Sequence, residues 1–141
     1  MNKIEQSSLW MDIGTLMGRV LLGAIFVWSG YGKAVAASGT IAYFEKLGLP
    51  VPVAAYAVTV IIELGIGLLF VFGLFTRPAA LILAFWCIAT ALVAHSNFAD
   101  RNMLIHFYKN VAMCGGFIYA AILGPGRISV DARITARRGQ G

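Results

Sequence analysis

Charge is what this chain has least of. Only 12% of its 141 residues are Asp, Glu, Lys or Arg, against about 25% in an ordinary soluble domain. There are two histidines and two cysteines, and no CxxC pair among them. No GxGxxG or Walker-type phosphate loop occurs, and neither HExxH nor GxSxG is present. These absences exclude dinucleotide and nucleotide folds, zinc proteases, α/β-hydrolases and dithiol redox centres. What fills the chain instead is apolar: 60% hydrophobic residues and a mean hydropathy of +0.82. A soluble fold of this length has too little interior to hide that much apolar side chain. The sequence reads as an integral membrane protein.

Four apolar stretches occupy positions 13–31, 53–75, 79–95 and 103–123. Backbone in lipid must satisfy its own hydrogen bonds, so the predicted fold is all-α, a bundle of four transmembrane helices in one membrane domain. Gly48-Leu-Pro50-Val-Pro52, Gly73 to Pro78, Ser96 to Asn102 and Gly124-Pro125-Gly126 supply the breaks. Tyr43, Phe44 and Leu47 are spaced for a short interfacial helix between the first two spans. The first stretch is not expected to be a cleaved signal, because Glu5 and Asp12 precede it in a long leading region. Lys3, Arg77, Arg127, Arg133, Arg137 and Arg138 fall on one side of a four-span chain, and Lys33, Lys46 and Arg101 on the other. The bias predicts both termini in the cytoplasm of an inner-membrane protein. The basic tail, 124–141, is expected to meet anionic lipid rather than nucleic acid.

Ionisable residues in or beside spans are costly unless they face a bundle interior or cavity. Glu63 lies near the middle of the second stretch, Arg19 in the inner part of the first, and Lys33 just past its end. His95 closes the third stretch, and His106, Lys109 and Asn110 lie in the outer part of the fourth. Arg19, Gly23, Phe26, Gly30 and Lys33 share one helical face, and so do Glu63, Gly67 and Phe70. Ala112, Gly116 and Ala120 make a similar stripe on the fourth. All three faces are expected to look inward. The candidate site is therefore Glu63 and Lys109, handling a proton or holding a polar head group, with Arg19, Lys33, His95, His106 and Asn110 as polar lining. On depth Lys109 is the expected partner of Glu63, with Arg19 the alternative. Two histidines without a recognised spacing do not predict a metal site, and a shared haem is the weaker use of the pair. Tyr31, Tyr56, Tyr108 and Tyr119, with Phe85 and Trp86, either line a slot for a bound quinone or serve as belt and core. Gly14 and Gly18 form a GxxxG pair suited to a homo-oligomer.

The order of several short elements resembles the DoxX family of small four-helix membrane proteins. They are Arg19 to Lys33, Phe44 with Gly48-Leu-Pro50, Glu63 to Gly67, Gly73 to Ala79, His95 and Lys109-Asn110, covering roughly Gly14 to Gly124. The resemblance implies association with redox chemistry, since relatives include quinone-reducing subunits and membrane parts of oxidoreductase assemblies. It thereby implies a quinone or a partner redox protein as the electron carrier. A non-catalytic scaffold or anchor for a partner protein is the alternative, and a small-solute or metal carrier a third.

Overall fold

The structure is a computed structural model that describes residues 3–139. Helix α1 (Lys3–Val35) is unbroken over 33 residues, and its membrane-length portion is Leu9–Val35. The chain bends at Ala36 into the short helix α2 (Ala37–Lys46), then turns through Gly48 at a positive φ of 74°. Pro52 opens the second long helix at its first turn, where a missing N–H costs nothing. That helix comprises α3 (Pro52–Val60), a π-helical segment (Ile61–Ile66) and α4 (Gly67–Phe72). Gly73 ends it in the left-handed conformation, three residues before the predicted limit. Helix α5 (Thr76–Ala94) follows after a tight turn, and α6 (Arg101–Leu123) after a loop capped by Asp100, which accepts from the Asn102 N–H at 2.8 Å. The final helix, α7 (Val130–Arg138), is capped by Ser129.

Three of these helices are long and apolar enough to cross a membrane: Leu9–Val35, Pro52–Phe72 and Thr76–Ala94. α6 has comparable length, but Arg101, Asn102, His106, Lys109 and Asn110 load its first half with polar groups. Large apolar side chains such as Leu21, Trp28, Phe85 and Tyr119 point outward, the pattern of a protein whose solvent is lipid.

One core joins the long helices. Phe26 of α1, Phe70 of α4 and Phe117 of α6 meet edge to face, with ring centroids 5.3 and 5.0 Å from that of Phe117. They pack on Ala80, Leu83, Ala84 and Cys87 of α5, so every long helix contributes to the same cluster. α1 comes close to the backbone of the second helix at Gly30. A Cβ there would lie 2.5 Å from the Leu64 nitrogen and 2.9 Å from the Glu63 carbonyl carbon. The predicted inward faces of α1 and the second helix are thus the real ones. Gly14 and Gly18 touch nothing and leave an open face.

Candidate functional site

Beyond Gly30 the helices diverge and leave a cavity of about 610 Å³ bounded by α1, α2, α3, the π segment, α5 and α6. Its walls are mostly apolar, with Phe44, Leu47, Val58 and Met113 among them. The π segment puts Glu63 into this space. An extra residue per turn displaces the side chain from the ordinary α-helical register, a distortion concentrated at functional sites. Glu63 is buried, and its Oε2 accepts from Lys33 Nζ at 2.7 Å. Lys33 also donates to Ser29 Oγ one turn back, at 2.5 Å, and Trp86 Nε1 approaches Glu63 Oε1 at 3.4 Å. The carboxylate is held from two elements, α1 and α5.

This corrects the expected pairing. Glu63 bonds neither Lys109 nor Arg19. The apolar stretch ends at Tyr31, which puts Lys33 outside the span by hydropathy, whereas α1 continues to Val35 and carries Lys33 on the inward face. The close approach at Gly30, one turn below, sets the distance between the two side chains.

Five of the seven sequence-predicted residues line the cavity: Lys33, Glu63, His95, Lys109 and Asn110. Asn110 is buried; its Oδ1 accepts from Thr90 Oγ1 at 3.3 Å, and its Nδ2 donates to the His106 carbonyl at 2.9 Å. His106 stacks on His95, with centroids 5.1 Å apart, and its Nδ1 lies 3.0 Å from Lys109 Nζ. Among the described residues, no group of three or more His, Cys, Asp or Glu gathers as metal ligands would. Of the six aromatic candidates, Trp86 lines the cavity. Tyr31 lies in a separate shallow groove with Trp28, and Tyr56 donates to the Ala34 carbonyl at 3.4 Å. Thr90 and Ser29 escaped the site prediction because isolated Ser and Thr in an apolar run carry no distinctive signal.

Arg19 serves a different place. Its guanidinium is buried near the opposite end of α1, donating to the carbonyls of Pro125 and, at 2.8 Å, Ile128. Asp12, one face along, accepts from the Arg127 backbone N–H at 3.0 Å and from Arg127 Nε at 2.5 Å. Asp131 completes this docking by accepting the N–H groups of Phe75 and Thr76, each at 2.9 Å, and the Thr76 hydroxyl at 2.8 Å. Burial opposes ionisation of Asp131, but the Thr76 and Phe75 donors and the Arg19 charge together outweigh it. The carboxyl is held below its ordinary range. The 124–138 segment is thus clamped to the bundle, with Arg133, Arg137 and Arg138 exposed on its outer side.

A helical chain with apolar spans and a buried ion pair beside a cavity is a multi-pass membrane protein. It belongs to the DoxX family, whose model matches residues 14–96. It is 39% identical over 120 residues to the inner membrane protein YqjF of Escherichia coli (strain K12), covering 85% of this chain and 91% of that one. A second inner membrane protein of that organism, YphA, is 37% identical over 123 residues, covering 84% and 88%. "Putative oxidoreductase CatD" of Bacillus subtilis (strain 168) is 41% identical over 73 residues, about half of each chain. No solved structure matches. The protein is a multi-pass inner-membrane protein.

Proposed function

We propose that this protein is an inner-membrane subunit for quinone-linked oxidoreduction, with α6 completing a four-span bundle and both termini in the cytoplasm. The topology follows from the Lys/Arg bias, with Arg77 and the arginine-rich tail on the inner side. The redox reading draws on family membership and on the name of CatD, whose match covers about half of each chain. The observation that carries it is the Lys33–Glu63 pair in the wall of an apolar cavity.

The residues fit a quinone in three respects. The volume, about 610 Å³, lies within the usual range for small-molecule sites. The walls accept an aromatic ring and an apolar tail. Lys33 Nζ and Trp86 Nε1 are donors for carbonyl oxygens, and Glu63 is a carboxylate within reach of the same space. A bound quinone would supply a two-electron, two-proton couple. Lys33 then binds and orients a carbonyl oxygen, and Glu63 holds the proton exchanged with it. Asn110, Lys109 and the His95–His106 stack extend the polar lining toward the α5–α6 loop.

A membrane scaffold is the second reading, favoured by the complete engagement of Glu63 within the bundle. Native mass spectrometry after gentle solubilisation separates the two. Retained quinone that is lost in Glu63→Gln supports the first reading. An empty protein whose partner-dependent activity survives Lys33→Met combined with Glu63→Gln supports the second.

A further inference from the structure

The charges around the cavity do not balance. Two lysines face it and one carboxylate, and that carboxylate is committed to Lys33. No carboxylate among the described residues pairs with Lys109, whose contact is His106 Nδ1 at 3.0 Å. His95 lines the same end of the cavity, and its Nδ1 is buried with no hydrogen-bond partner among the described residues. The Asn110 side chain is fixed by Thr90 and the His106 backbone, so it holds this corner in place. A buried nitrogen left unsatisfied is destabilising. Beside it stands a cation with no counter-charge, at the rim of an otherwise apolar space. A neutral ligand would leave both groups unanswered.

We infer that this end of the cavity is an anion subsite that takes the carboxylate of an amphipathic organic acid. One carboxylate oxygen pairs with Lys109 Nζ, and the other accepts from Nδ1–H of His95 once the imidazole turns toward the cavity, which sets the His95 tautomer. The apolar body of the acid lies against the α2–α3 wall, around Phe44 and Val58. The cavity volume suits one ring or one short chain. The inference rests on the cavity being a ligand site but not on that ligand being a quinone, because the subsite uses different residues from the Lys33–Glu63 pole.

The test uses the full chain in phosphatidylcholine nanodiscs, with the fluorescence of Trp86 as the signal and Trp86→Phe as its control. 4-Butylbenzoate is compared with 4-butylbenzyl alcohol, which has the same body without the charge. The acid is expected to bind at least tenfold tighter. Lys109→Met removes that preference, and Lys109→Arg keeps most of it. Equal binding of acid and alcohol, or a preference that survives Lys109→Met, overturns the subsite. So does full displacement of the acid when phosphatidylglycerol is added, since the subsite would then belong to lipid phosphate. Menadione titrated in parallel separates the two readings. Menadione binding without acid preference defeats the subsite alone, whereas acid preference without menadione binding defeats the quinone reading alone.

Discussion

Lys33 and Glu63 are the residues on which the interior depends. Glu63 is buried and Lys33 half-buried, so removing either partner leaves a poorly solvated charge, at a cost of up to about 3–5 kcal/mol. Lys33→Met is therefore expected to lower the thermal midpoint of the detergent-solubilised protein substantially. Combining it with Glu63→Leu should restore most of the loss, since no charge then remains buried. Lys109→Met, at an exposed position, should leave the midpoint almost unchanged. Equal effects at Lys33 and Lys109 would contradict the observed pairing. Cys87 and Cys114 are free thiols and take no part in the site.

At the scale of elements, the π segment and the docked tail do the positioning. The π segment aims Glu63 and permits the contact with Gly30, while α7 is tied across the α4–α5 turn through Asp131. The Asp131 carboxyl is below its ordinary range in the folded protein, so its contribution is fully present above the unfolded value, about 3.9. It is lost as pH falls through the lowered folded value. Amide exchange of residues 130–138 should accordingly remain slow down to about pH 4 and accelerate below it. Asp131→Asn should accelerate exchange at neutral pH. Unchanged exchange in that variant would show that the tail is held by other contacts.

Helical spacing made the inward faces of α1 and the second helix legible, because Gly23, Phe26 and Gly30 recur at three and four residues, the glycines small where helices meet and Phe26 filling the core. Ala112 of the expected α6 stripe is instead exposed. The turns were legible from Gly and Pro. The Lys33–Glu63 pair was not, since hydropathy marks where apolar residues stop and not where the helix stops. The π segment has no compositional signature: Ile61-Ile-Glu-Leu-Gly-Ile66 reads as ordinary α-helix. Arg19 was assigned to the site because its true partners, the carbonyls of Pro125 and Ile128, lie more than a hundred residues away and are backbone atoms.

The whole molecule is a lipid-facing bundle with polar chemistry at its two ends. One end holds the cavity, with the Lys33–Glu63 pair and Lys109 in its wall; the other holds the tail clamp. With four spans the cavity end faces away from the cytoplasm. In a background lacking Cys87 and Cys114, Ser96→Cys should react with a membrane-impermeant maleimide added to intact cells, and Gly139→Cys should react only after lysis. Labelling of both from the same side would rule out the four-span arrangement.

Native mass spectrometry of the gently solubilised protein decides whether the proposed Lys33–Glu63 site holds a quinone. A bound species with a quinone mass is expected in the wild type, lost in Glu63→Gln while the variant retains its fold. A wild-type protein that carries no quinone, even when quinone is supplied in excess during solubilisation, would contradict the proposal.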